Sequence, residues 1–480
     1  MTNSSTTTEP KTTSDDGFSS AIGRFKSSLT DLREFSELVE SLIKKHKLKE
    51  LETALSRYNG LGEALCQFDD KLKSDVHMIQ ETCTEGATQR ESSIRFEVKN
   101  NGNGEALFAA LGSREDLKEF DKTISTIMRS ENGVQHMHRS SLISLVSVVE
   151  SFLSRLLHLF FLKHPSAVNS NEKQFTFKEL SAFSTMDDAR TYLVSWKIEN
   201  LLRGSYEDWV DYFKNQLKLE LPGISRHHDN LVENFQRRNL FVHNDGVVNK
   251  IYLSKVSEAL AKPNMLDKPL GVTKPYLFSA IDRFESAFLQ LAFELWAKCE
   301  KKSRQRASLI VQSSYDALQN KRWNVATEIA KFIEKDKAAD EISILMAKVN
   351  AWIARKRVGG LEAIKAEVSV FDVSAKDDLF RLARHCLLDE HDEALVIAKK
   401  LHRGKRLSLI EFSDWPLFED LRSTQNMTAW LTKLREKAAK TKGNPRTDGK
   451  SSAITASESE TSSSSRSRTK RKTLPVVTTH

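Results

Sequence analysis

The chain has 480 residues, enough for two or three domains, and its 18 glycines and 9 prolines are too few for the many turns of an all-β fold. Its four cysteines form no C-x2-C pair, which disfavours a zinc site and favours a reducing, cytoplasmic compartment. Of the net charge of +8, +7 lies from residue 437 onward, so the rest is not a basic platform for nucleic acid. These features predict an all-α protein.

The N-terminal third is predicted to begin with a disordered segment and continue as a helical arm. Residues 1–20 are rich in Ser and Thr and lack the apolar core of a signal peptide. The arm, residues 21–130, starts with apolar side chains at helical spacing: Phe25, Leu29, Leu32, Phe35, Leu38 and Leu42. A second helix over residues 61–80 would complete a coiled hairpin for packing or dimerisation, and residues 94–98 fit one short strand.

The most apolar segment is RSSLISLVSVVESFLSRLLHLFFLKH, residues 139–164. It is long enough to cross a bilayer, but it contains Glu150, Arg155 and His158, and charges are costly at membrane depth. It is therefore predicted to be a core helix without a membrane partner. Serines spaced by three and four residues predict a seam for close helix approach: Ser140, Ser144, Ser147, Ser151 and Ser154.

A helical bundle is predicted over residues 135–300, with further helices at residues 187–202, 206–219 and 276–301. Between the last two, after a break at Leu221-Pro222-Gly223, a helix runs into LVENFQRRNLFVHNDGVVNKIYL, residues 231–253. It is predicted to end at His243-Asn244-Asp245-Gly246, because Asn, Asp and Gly tolerate left-handed backbone.

Three polar residues lie on or near the packed side of this helix. With about 100° per residue, Leu231, Phe235 and Val242 form one apolar stripe. Arg238 lies at its edge and Asn239 within its far margin, whereas His243 lies just beyond, about 140° from Arg238.

Such groups cost about 1–3 kcal/mol each when buried without a partner. They therefore need partners inside the fold, across a dimer interface or in a ligand. Glu150 is either a solvent-facing or salt-bridged glutamate, or a carboxylate that pairs with Arg238 or orients His243.

No nucleotide-binding, nucleophile-elbow or zinc-protease motif occurs, and His227-His228-Asp229 lacks a third ligand, so no cofactor and no metal are predicted. Arg238 and His243 remain. RNA is cleaved without metal when its 2′-OH attacks the neighbouring phosphorus, which needs an imidazole to move protons and a cation on the phosphoryl oxygens. Asn239 would fix the imidazole or bind phosphate, and a homodimer would complete the acid–base pair.

The run RNLFVH, residues 238–243, is an R-x4-H motif. With the N-D-G stop and the following helix, it resembles the HEPN superfamily, especially members labelled RiboL-PSP-HEPN, over residues 135–300. The resemblance implies a metal-independent endoribonuclease with a composite cleft in a homodimer, often in toxin or antiviral defence, and an acid such as Glu150 is common on the first long helix. Some HEPN domains are non-catalytic, so the alternative is a dimeric scaffold or adaptor.

Residues 303–437 are predicted to form successive helices with A-x3-A pairs, similar to tetratricopeptide-type hairpins. They would either bind a protein partner or pack without a ligand groove. The predicted helices cover residues 304–320, 323–335, 340–357 and 375–386. Residues 438–480 are Ser-rich, basic and expected to be disordered, as a phosphate-binding tail, an address signal or a solubilising tail.

Overall fold

The computed structural model describes residues 14–68, 70–82, 94–100, 106–168 and 173–442. Most of the described residues are helical and very few are in strands, which confirms the all-α prediction. The chain divides into two compact units, residues 1–300 and residues 301–480.

The first unit contains the R-x4-H motif, residues 238–243. Its elements are α1 (Ser14–Arg57), α2 (Leu61–Phe68), α3 (Asp70–Thr82), β1 (Arg95–Asn100), β2 (Ala106–Leu111), α4 (Arg114–Lys163), α5 (Phe177–Ser181), α6 (Met186–Arg203), α7 (Tyr206–Asp211), α8 (Pro222–His243), α9 (Lys250–Lys255) and α10 (Lys274–Cys299). Short 3₁₀ and π turns join several of them.

The start of α1 differs from the prediction of disorder over residues 1–20. Residues 14–20 are helical, because Phe18 is fully buried and stacks on Trp296 of α10 with ring centroids 5.5 Å apart. Two turns farther along the same helix, Phe25 stacks on Phe152 of α4, with ring centroids 4.1 Å apart. Residues 1–13 lie outside the described residues.

The boundary predicted near residues 130–135 is crossed by a single helix. α4 runs for 50 residues from Arg114 to Lys163, and α1 packs along it. The predicted arm and the predicted bundle therefore form one unit, because Phe18, Phe25 and Leu29 in the first part of α1 are buried where this helix packs on α4 and α10.

A small cluster closes the far end of this unit. Leu51 of α1 and Tyr58, just after α1, pack with Val76 of α3 and Phe120 of α4. Beside them β1 and β2 pair antiparallel, with Arg95 opposite Leu111 and Asn100 opposite Ala106. The predicted strand at residues 94–98 corresponds to β1. The sequence reasoning missed β2, because its apolar run ALFAAL has no alternation that distinguishes a strand from a helix.

By length and composition, α4 is the one helix in the described part of the chain that could cross a membrane. Half of its most apolar 18-residue window is buried in the protein, as in the core helix of a globular unit.

The predicted serine seam is not a tight helix contact. Ser144, Ser147 and Ser151 line an open groove of about 400 Å³ between α1 and α4. The close approach of these helices occurs instead at Ser36 and Ser141, whose hydroxyl oxygens are 3.2 Å apart.

α8 begins where the sequence predicts a break and packs on α10. Leu221 has a positive φ of 55°, and Pro222 opens the helix. A Cβ on Gly223 would lie 3.0 Å from Cα of Ala287, so glycine allows the two helices to approach closely. Farther along, Phe235 stacks on Phe284 with centroids 5.4 Å apart.

The second unit is a series of helices. They are α11 (Arg304–Gln319), α12 (Trp323–Phe332), α13 (Glu341–Gly359), α14 (Lys365–Ser369), α15 (Asp378–Leu387), α16 (His391–Arg403), α17 (Leu409–Asp414), α18 (Glu419–Ser423) and α19 (Gln425–Lys442). α11, α12 and α13 pack on one another, and α15 packs on α16.

The four predicted helices of this unit correspond to α11, α12, α13 and α15. The alanines of the A-x3-A pairs are buried, whereas the likeness to tetratricopeptide hairpins remains a prediction. α19 continues to Lys442, past the boundary predicted at residue 437. The rest of the basic tail, residues 443–480, lies outside the described residues.

Candidate functional site

The end of α8 has the geometry that its sequence predicts. The helix stops at His243, and the backbone N–H groups of Asn244 and Gly246 both donate to the carbonyl of Leu240, at 2.8 and 3.0 Å. Asp245 and Gly246 take positive φ values of 47° and 79°. This stop places His243 at the exposed end of the helix.

Replacing Gly246 with alanine should destabilise this turn by about 1–3 kcal/mol. The left-handed backbone disfavours a side chain, and a Cβ would lie 2.8 Å from the Phe241 ring. The free energy of unfolding from denaturant titration measures the loss. Gly23→Ala is the control, because this helical glycine has open space around it and alanine should stabilise α1 by about 0.5–1 kcal/mol. The prediction would be contradicted if both variants changed the free energy of unfolding in the same direction.

Arg238 and Glu150 lie together. Nη2 of Arg238 donates to Oε1 of Glu150 at 3.3 Å, which joins α8 to α4. Nε of Arg238 is buried and has no hydrogen-bond acceptor among the described residues. Of the alternatives open for Glu150, the structure therefore has the carboxylate paired with Arg238.

Burial of the Glu150 carboxyl raises its pKa, and the charge of Arg238 only partly opposes this. The folded protein then holds this proton to higher pH than the unfolded chain does. The free energy of unfolding should fall as the pH rises from the ordinary glutamate pKa through the raised one. The measurement is the free energy of unfolding of the wild type minus that of Glu150→Gln across that pH range, and this difference should fall as the pH rises. A difference that grows with pH would contradict the raised pKa.

His243 and Asn239 are not joined to this pair. Within the described ranges, neither side chain makes a hydrogen bond or an ion pair; His243 is exposed and Asn239 half-buried. Since α8 is continuous, five residues separate Arg238 from His243 by about 7.5 Å along the axis and about 140° around it. One copy of the chain thus presents the two residues in different directions.

The apolar stripe predicted on α8 is only partly buried. Leu231 and Phe235 are buried, but Val242 is 48 % exposed, so its predicted inward position is wrong. The last turn of α8 is covered mainly on the side of Leu240, which packs on Val248 of the following segment. Val242 and His243 consequently share an exposed end of the helix.

The sequence reasoning missed a buried network that centres on Glu233, at least two turns before the end of α8. Glu233 of α8 accepts hydrogen bonds from Arg237 (2.6 Å), Tyr252 (2.8 Å), Tyr276 (2.5 Å) and Asn234 (3.2 Å). Burial raises the pKa of both tyrosines, as does the neighbouring Glu233, so their hydroxyls remain donors. The network ties α8 to α9 and α10 and so positions the helix that carries the motif.

The sequence could have predicted one part of this network. Glu233 and Arg237 have the i, i+4 spacing of a helical ion pair, whereas no spacing indicates the two tyrosines. Arg139 of α4 lies over the Phe241 ring at 5.0 Å and contacts Asp245 at 3.4 Å. It is a second cation near the end of α8.

Comparison of the chain with protein-family models, with curated proteins and with solved structures found no match. In the described part of the chain there is no group of three or more His, Cys, Asp or Glu side chains that could hold a metal ion.

Proposed function

We propose that this protein is a HEPN-type, metal-independent endoribonuclease. One observation carries the proposal: an exposed histidine ends α8 five residues after an arginine that a carboxylate of α4 holds in place. The resemblance of residues 238–243 to the R-x4-H motif supplies the substrate class, RNA. It also supplies the setting, a toxin or antiviral defence role, and the cysteine pattern favours the cytoplasm as the compartment.

The proposed chemistry uses the RNA's own 2′-hydroxyl as nucleophile. An imidazole of His243 removes the 2′-OH proton, the 2′-oxygen bonds to phosphorus, and the P–O5′ bond breaks. An imidazolium protonates the departing 5′-oxygen. The products are a 2′,3′-cyclic phosphate and a 5′-hydroxyl, with no metal or external oxidant. Arg238 stabilises charge on the phosphoryl oxygens, and Glu150 orients its guanidinium. Asn239 contacts either the phosphate or the imidazole.

A single copy of the chain offers half of this machinery. A base and an acid are both needed, and one α8 carries one His243 pointing well away from Arg238. A homodimer would bring the second copy's residues into the same cleft. The basic tail provides the long-range electrostatic attraction for RNA, because the rest of the chain is near neutral.

The test is incubation of the purified full-length protein with mixed RNA in EDTA, followed by end-group analysis. Fragments ending in 2′,3′-cyclic phosphate are expected. Intact RNA under these conditions favours the second candidate, a non-catalytic dimeric scaffold or adaptor whose second unit binds a protein partner. Two observations favour that candidate: Arg238 already has an internal partner in Glu150, and the chain up to residue 436 carries little net charge.

A further inference from the structure

A long face of α1 carries large apolar side chains that nothing covers in the described part of the chain. Phe35, Leu38 and Leu42 are 54 %, 60 % and 57 % exposed. They follow directly on Phe25 and Leu29, which are buried. The apolar period of α1 therefore continues past the point where α4 covers it.

In this part of α1, a different set of side chains faces α4. There Ser36 is fully buried with its hydroxyl against Ser141, and Ile43 lies against Gly133 of α4. Ser36 and Ile43 thus lie on the inner side of the helix, whereas Phe35, Leu38 and Leu42 lie on the outer side. Large exposed apolar side chains in a row are typical of an interaction surface.

The outer row extends beyond its apolar centre with a regular spacing of four and three residues. Its members, which we call the outer stripe, are all exposed: Asp31, Phe35, Leu38, Leu42, Lys45 and Lys49. This is the a/d spacing of a coiled coil over about 28 Å of helix. An acid stands at one end and two lysines at the other.

We propose that the outer stripe binds the outer stripe of a second copy of this chain, antiparallel, about a two-fold axis that passes near residue 40. In this register each d position meets an a position of the partner helix. Asp31 then faces a partner Lys49, Phe35 faces a partner Lys45, and Leu38 faces a partner Leu42. The two-fold axis repeats each contact, so the surface is complementary to itself.

Charge selects this arrangement over the alternatives. A parallel pairing in register would place Asp31 on Asp31 and both lysines on lysines, which is repulsive. The antiparallel pairing gives two acid–lysine contacts and two contacts of a lysine with an aromatic ring, around a centre of four leucines. None of these six side chains makes an ion pair or side-chain hydrogen bond elsewhere among the described residues.

The first test is the mass of the full-length chain in solution by light scattering. Wild type should have twice the 54.5 kDa chain mass. Leu38→Arg should be a monomer, because it places two extra cations in the apolar centre. The matched control is Leu162→Arg, the same change at an exposed leucine of α4, and it should remain a dimer. A monomeric wild type, or a dimeric Leu38→Arg, would overturn the proposal.

The second test is a charge exchange that examines the register. Asp31→Lys and Lys49→Asp each create repulsive end contacts and should weaken the dimer by about tenfold or more. The double variant, Asp31→Lys with Lys49→Asp, restores both contacts and should recover most of the affinity. A double variant as weak as the two single changes combined would rule out the antiparallel register.

This pairing does not rest on the proposed RNA cleavage. The outer stripe is on α1, whereas the R-x4-H motif is on α8, and the two tests read molecular mass. The dimer can therefore be found in a protein that cuts no RNA, so a failure of the cleavage proposal leaves the result of the mass test unchanged.

Discussion

The variant His243→Ala should lose RNA cleavage by about 10²- to 10⁴-fold, the range that a positioned proton-transfer group contributes. The substitution removes the exposed imidazole at the end of α8 and leaves Arg238 and Glu150 in place. It also leaves the turn intact, since the stop is made by backbone groups of Asn244 and Gly246. The measurement is the initial rate on a short labelled RNA in EDTA.

The matched control for this loss is His228→Ala. His228 is an exposed histidine of the same helix outside the motif, and its ring lies 5.9 Å from that of Tyr206. This variant should cleave at the wild-type rate. Equal losses in both variants would point to a general effect on α8, and an unchanged rate in His243→Ala would remove the histidine from the reaction.

Glu233→Ala should destabilise the first unit by about 3–5 kcal/mol. It removes the buried carboxylate that accepts from Arg237, Tyr252 and Tyr276, and it leaves these three donors without that acceptor. The guanidinium is left as a partly buried charge stacked on the Tyr276 ring at 4.1 Å. The free energy of unfolding measures the effect.

Glu199→Ala gives the comparison for that change. Glu199 is an exposed glutamate that pairs with Arg203 in the next turn of α6. Such an exposed i, i+4 pair contributes about 0.3–0.5 kcal/mol. If the losses in free energy of unfolding of the two glutamate variants differ by less than about 1 kcal/mol, the network around Glu233 does not stabilise the fold as proposed.

Local patterns predicted the helices well because each carries its own signals. The N-D-G stop of α8 follows from the backbone preferences of three residues, and the structure has it where the sequence predicts. The pairing of Glu150 with Arg238 was one of several alternatives. Choosing among them needs the crossing of α4 and α8, which no short sequence pattern contains.

Features that depend on distant residues were not predictable. The burial of Phe18 depends on Trp296, far along the chain, and the network around Glu233 depends on two tyrosines from separate helices. Val242 has the right angular position for the core, but it is 48 % exposed in the last turn of α8. Periodicity gives the direction of a side chain, and only the packing of neighbours decides whether something lies there.

The packing of α1 on the rest of the first unit limits how this protein can be dissected. A fragment starting near residue 135 would cut α4 in mid-helix and would also strip Phe18 from Trp296 and Phe25 from Phe152. The surfaces left bare are large aromatic faces, which promote aggregation. An expression fragment that retains solubility should begin before Ser14 and end no earlier than residue 300.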